Sequence, residues 1–102
     1  MTGGLDVTPG QRAALLALLA EHLPGVAAWV YGSRTKGGAR PSSDLDLVVF
    51  CGAAQRARVG DLREAFEESE LPFRVDLFVW DELPESFRRN IEREHVELFS
   101  PG

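Results

Sequence analysis

The sequence predicts an α/β fold of the α+β kind, with a mixed sheet of three or four strands and flanking helices, in a single domain over residues 1–102. Three observations carry that expectation. Apolar residues recur at helical spacing in three stretches, and short runs rich in strand-forming residues lie between them. The connections alternate between helical crossovers and one short polar loop, so parallel and antiparallel pairing should both occur.

Thr8 followed by Pro9 is a helix-start signal, and Leu15, Leu18, Leu19 and Leu23 keep helical spacing until Pro24-Gly25 stops them. Val26 to Tyr31 is short and apolar and runs into Gly32-Ser33, which predicts the first strand. From Arg34 to Ser43 the chain is polar and carries Gly37, Gly38 and Pro41, a loop with room for one helical turn. Leu45 to Phe50 is the second strand. Ala53 to Glu68 places Val59, Leu62 and Phe66 on one helical face, with Gly60 as a weak point. Phe73 to Trp80 is the third strand, Asp81 is the expected cap of a helix bearing Leu83, Phe87 and Ile91, and Val96 to Phe99 adds a short edge strand.

Composition narrows the function classes. At 44% hydrophobic and 26% charged residues, the chain matches an ordinary globular domain of one core. The longest apolar run, Ala13 to Ala20, falls short of the roughly 20 residues a bilayer requires. Met1 to Leu5 lacks the pattern of a secretory leader, so a cytoplasmic protein with reduced thiols is expected. Cys51, the single cysteine, sits beside Val49 and Phe50 and reads as buried filler. A formal charge of -5 disfavours broad binding to nucleic acid. Between Glu21 and Asp44, however, no acidic residue occurs, while Arg34, Lys36 and Arg40 cluster there. A local positive loop on an acidic protein suits a small polyphosphate.

The chemistry-bearing residues fall on strand ends. Gly32-Ser33 closes the first strand, Asp44 and Asp46 open the second, and Asp76 lies in the third. Two residues apart on a strand, Asp44 and Asp46 project to one side, close enough to share metal ions. Each piece alone has a plainer reading: Gly-Ser is a common turn, and Asp-x-Asp is often a cap or a solvated edge. Asp76 is harder to dismiss, because Val75, Leu77, Phe78 and Val79 imply a buried strand in which an unpartnered carboxylate is costly. The simplest neutraliser of three such acids is Mg²⁺, which takes hard oxygen ligands and completes its shell with waters and phosphates. Two ions roughly 4 Å apart would activate an attacking oxygen and stabilise leaving pyrophosphate. Gly32 lets the backbone turn sharply, Ser33 offers a hydroxyl, and Arg34 and Lys36 add positive charge for a triphosphate.

Tyr31-Gly32-Ser33-Arg34, Gly37 and Ser43-Asp44-Leu45-Asp46-Leu47 together resemble the signature of the minimal nucleotidyltransferases of the DNA polymerase beta superfamily: Gly-Ser, ten residues, Asp-x-Asp. Asp76 stands where that family places its third carboxylate, and the likeness extends from Val26 to Phe99. The resemblance implies the nucleotidyltransferase fold and an enzyme that uses Mg²⁺ to move NMP, AMP above all, from an NTP to an acceptor. Asp44, Asp46 and Asp76 would hold metal, Asp76 would also help deprotonate the acceptor hydroxyl, and Gly32 and Ser33 would hold the triphosphate. It further implies a role as antitoxin beside a helical toxin of the HEPN type (higher eukaryotes and prokaryotes nucleotide-binding), with a hydroxyl of that partner as acceptor. His95 departs from the family, which often carries glycine after the last helix.

Larger nucleotidyltransferases bind their acceptor with an extra domain, whereas about a hundred residues here are consumed by the core, so a partner protein or a second copy of the chain is expected to supply the acceptor surface. Trp29, Trp80 and Phe87 are candidates for that contact, although core packing is the more usual fate of an aromatic. His22 and His95 read as surface residues. Two other functions stand beside the transferase: a non-catalytic module that covers a toxin's surface, and a transferase acting on a small molecule such as an antibiotic.

Overall fold

The computed structural model describes residues 7–32, 35 and 44–101. Along the chain these form α1 (Pro9–His22), β1 (Ala28–Tyr31), β2 (Leu45–Val49), α2 (Ala57–Glu67), β3 (Val75–Val79), α3 (Glu85–Arg93) and β4 (Val96–Phe99). Short 3-10 turns at Ala53–Gln55 and Trp80–Glu82 precede α2 and α3. The strands make one sheet in the order β3-β2-β1-β4. Strand β2 runs antiparallel to β1 and parallel to β3, and β4 runs antiparallel to β1, so the expected mixed sheet is present.

Local signals explain most boundaries. Thr8 caps α1 through its hydroxyl, which accepts from the Gln11 N–H at 3.1 Å, while the Gln11 side chain accepts from the Thr8 N–H at 2.9 Å. Gly25, at φ +77°, then turns the chain toward β1. The start of α2 is later than its apolar pattern suggested, because residues 53–55 wind as a 3-10 turn. Asp81 does not cap α3. It belongs to the preceding 3-10 turn, and Pro84 occupies the cap position with no side-chain hydrogen bond.

Helices α1 and α2 cover one face of the sheet. Leu15, Leu19 and Leu23 of the first, and Val59, Leu62 and Phe66 of the second, join Val30, Leu45, Leu47, Val49, Leu77 and Val79 in one buried cluster. Cys51 is buried in the same cluster, as expected. No helix among the described residues is long and apolar enough to cross a membrane.

The opposite face carries Trp29 and Tyr31 of β1, Asp46 and Val48 of β2, and Asp76 and Phe78 of β3, as strand alternation requires. One end of it is closed by aromatics. Trp29 stacks on His95 at 3.7 Å between ring centroids and meets Phe50 and Trp80 edge-on at 4.6 and 5.7 Å. Arg88 of α3 donates from Nε to the Trp80 carbonyl and from Nη2 to that of Asp81, both at 3.0 Å, and so ties the helix to this cluster. Trp29 and Trp80 are thus half-buried packing residues, whereas Phe87 remains 54% exposed.

Both histidines correct the surface reading. Each is half-buried, with Nδ1 at hydrogen-bond distance from the carbonyl four residues earlier, Leu18 at 3.0 Å for His22 and Ile91 at 2.8 Å for His95. Among the described residues only Gly25 and Gly32 take positive φ, so the turn at His95 does not demand glycine.

Candidate active site

Asp46 sits at the centre of the site because β2 is an interior strand. Its antiparallel partner is Tyr31 and its parallel partner is Asp76, which sets the three side chains in a row across the open face. Gly32 follows Tyr31 at φ +86°, a conformation that strains any residue bearing a β-carbon. A β-carbon there would also stand 2.5 Å from Oδ2 of Asp46. The glycine is therefore required twice, for its backbone angle and for the room it leaves the carboxylate. Thr35 fixes the turn beyond it, donating to the Gly32 carbonyl from its N–H at 3.1 Å and its hydroxyl at 2.7 Å.

Electrostatics mark the same spot. Burial, then the charge of Asp76, then that of Asp44, push the Asp46 carboxyl above its ordinary range. Burial first, and then the carboxylates of Asp46 and Asp76, raise the Tyr31 phenol far above its usual value. Negative charge from Asp76 and Asp44 thus bears on Asp46, and that of Asp46 and Asp76 on the Tyr31 phenol, an environment that a cation would relieve.

Asp76 differs from its sequence reading in two ways. Strand β3 is an edge strand, which leaves the Asp76 side chain 29% exposed and Phe78 37% exposed. The carboxylate also has a partner, since Oδ1 lies 3.1 Å from Nε of Arg74. The penalty expected at Asp76 falls instead on Asp46, one strand further in. As they stand, no three or more acidic, histidine or cysteine side chains among the described residues are drawn together closely enough to hold a metal ion. The donor set nonetheless fits Mg²⁺: hard carboxylate oxygens on adjacent strands, a carboxyl whose charged form lacks compensation, and a glycine that keeps the approach open. Ser33, Arg34 and Lys36, the expected triphosphate contacts, lie outside the described residues, as does Arg40.

Two hollows flank the carboxylates. A cleft of about 250 Å³ lies on the β1 side, lined by Tyr31, Gly32, Phe87, Asn90, Ile91 and Glu94. On the β3 side a wider hollow of about 500 Å³ includes Arg63, Arg74, Asp76 and Phe78 in its walls. Arg63 donates from Nε and Nη2 to the Leu77 carbonyl, at 3.3 and 2.9 Å, and occupies a carbonyl of the edge strand.

Comparison with known proteins then decides the family. The model of the family "Polymerase beta, Nucleotidyltransferase" matches residues 15–101. The chain belongs to the polymerase beta nucleotidyltransferase family. It is a nucleotidyltransferase of the minimal kind, in agreement with the motif that suggested it. Over 95 residues it is 39% identical to "Probable protein adenylyltransferase MntA" of Haemophilus influenzae, covering 92% of this chain and 83% of that protein. A solved structure provisionally assigned as a minimal nucleotidyltransferase is 33% identical, with a TM-score of 0.67 over 85% of this chain and 88% of the other. A crystal structure of a toxin-antitoxin with AMP-PNP shares the fold at 19% identity and a TM-score of 0.68, covering 87% and 73%.

Sequence reasoning did not single out Tyr31 as a site residue, Arg74, or the face of α3 that lines the smaller cleft. Phe87, Asn90, Ile91 and Glu94 recur at offsets of three and four, a visible helical stripe. Nothing local announces that this stripe faces Gly32.

Proposed function

We propose that this nucleotidyltransferase is an Mg²⁺-dependent protein adenylyltransferase, which moves AMP from ATP to a hydroxyl of a partner protein and serves as the antitoxin of a HEPN-type toxin. The observation that carries the reading is the wedge of Gly32 against Asp46, in line with Asp76. That contact supports reading the turn as the phosphate site and the two carboxylates beside it as the metal site. The name of the relative, a probable protein adenylyltransferase, and the toxin-antitoxin complexes that share the fold support a protein acceptor.

In this reading Asp44, Asp46 and Asp76 hold the metal, and Gly32, Ser33, Arg34 and Lys36 hold the triphosphate. Bound Mg²⁺ would neutralise the phosphates and stabilise departing pyrophosphate. Asp76, half-buried at the sheet edge, accepts the proton of the acceptor hydroxyl. The freed oxygen bonds to the α-phosphorus, and the bond from that phosphorus to pyrophosphate breaks. The hollow beside β3 admits the acceptor segment, while Tyr31 and the turn at Gly32 keep the nucleotide on the other side.

The test is incubation of the protein with labelled nucleoside triphosphates, Mg²⁺ and the product of the neighbouring gene, followed by mass spectrometry. A peptide heavier by AMP is expected with the native protein and absent with Asp44→Asn or Asp46→Asn. Undiminished transfer by both variants would overturn the assignment. Full neutralisation of the toxin by both, without transfer, would favour a purely binding antitoxin.

A further inference from the structure

The hollow of about 500 Å³ along the outer edge of β3 has a mixed lining. Leu71 and Phe78 give it apolar walls, Arg63 and Glu67 line it from α2, and Arg74 and Asp76 line it from the β3 side. In the transferase reading Asp76 takes the proton of the acceptor, so a segment lying here presents its hydroxyl to that carboxylate. We propose that the hollow selects an acidic acceptor segment, with Arg74 pairing to a carboxylate close in sequence to the modified hydroxyl, a proposal that rests on the transferase reading above.

Charge complementarity decides the class of segment. With Asp76 committed to metal and proton, Arg63 and Arg74 face Glu67 across the hollow, and the balance there is positive. Glu67 repels an acid at the α2 wall, which places the favoured carboxylate beside Arg74. The Arg74 side chain is 77% exposed, and its pairing with Asp76 is of the weak, solvated kind that exchanges readily for a second carboxylate. Arg63 is fixed instead, because Nε and Nη2 both donate to the Leu77 carbonyl. That carbonyl is thereby taken, so side chains rather than strand pairing with the edge hold the segment. Spacing follows from the strand. The Arg74 carbonyl accepts from the Leu45 N–H at 2.8 Å, so the chain is already extended there. Two residues of extended chain separate Arg74 from Asp76 by about 7 Å, which puts the acid within about two residues of the acceptor hydroxyl in an extended segment.

The experiment follows AMP transfer to the product of the neighbouring gene at saturating ATP and Mg²⁺, with the acceptor protein varied. Arg74→Ala is expected to raise KM for the acceptor about fivefold without changing KM for ATP, and Arg74→Lys to recover most of the loss. Thermal melts check that these exposed substitutions leave the fold intact. Replacing the acids within about two residues of the modified position by their amides should have an effect of similar size. Combined with Arg74→Ala, that replacement should add nothing further. An unchanged acceptor KM in Arg74→Ala, an equal rise in KM for ATP, additive losses in the combined variants, or a modified peptide with no acid near its hydroxyl would each overturn the proposal. Absence of AMP on the acceptor with the native protein would instead remove the transferase reading on which it rests.

Discussion

Gly32 and Asp46 are fitted to one another: the space a β-carbon would occupy on the glycine lies 2.5 Å from the carboxylate oxygen of the aspartate. Gly32→Ala therefore both displaces Asp46 and strains a backbone at φ +86°. A destabilisation of about 1–3 kcal/mol is expected from the backbone angle alone. Transfer should fall by about a hundredfold or more, because the carboxylate shifts on the ångström scale. Chemical denaturation and single-turnover kinetics read the two effects separately.

Asp46→Asn is expected to abolish transfer while stabilising the metal-free fold at neutral pH. The folded-state pKa of Asp46 is raised, so the native state holds its proton more tightly than the unfolded chain does. That preference favours folding at low pH and turns into a penalty as pH rises from the unfolded value through the folded one. A neutral amide escapes it. The melting temperature of the variant should exceed the native value at pH 7 in chelator, and the gap should close as the pH falls below the ordinary aspartate range. Added Mg²⁺ should raise the native melting temperature more than that of the variant.

Arg74→Ala should release Asp76 from its ion pair at 3.1 Å. Because Arg74 is 77% exposed, the stability change is expected to stay within about 1 kcal/mol. The guanidinium competes with a cation for the same oxygen, so less Mg²⁺ should be needed for half-maximal transfer. A Mg²⁺ titration of the native and variant proteins checks this.

Gly60→Ala should stabilise the protein by about 1 kcal/mol. Gly60 is an exposed interior position of α2, and an added β-carbon there meets nothing within 4 Å. A rise in Tm of about 4–8 °C, with transfer unchanged, is the expected outcome.

What the sequence by itself determined follows from local rules. Capping by Thr8, the stop at Pro24-Gly25 and the apolar stripe of Val59, Leu62 and Phe66 are short-range signals that reappear in the structure, and the resemblance read from Gly32, Asp44 and Asp46 named the family that the comparison shows. Strand alternation likewise put Asp46 and Asp76 within one pattern. Tertiary structure decided the rest, because lateral strand order is set by how helices pack across the sheet and leaves no trace in local periodicity. The apolar flanks of Asp76 suggested a buried strand, yet packing left β3 at the edge, with Arg74 beside the carboxylate and the burden of burial on Asp46. Stacking of His95 on Trp29, and the turn of Phe87 and Asn90 toward Gly32, depend on where α3 lands, which contacts distant in sequence determine.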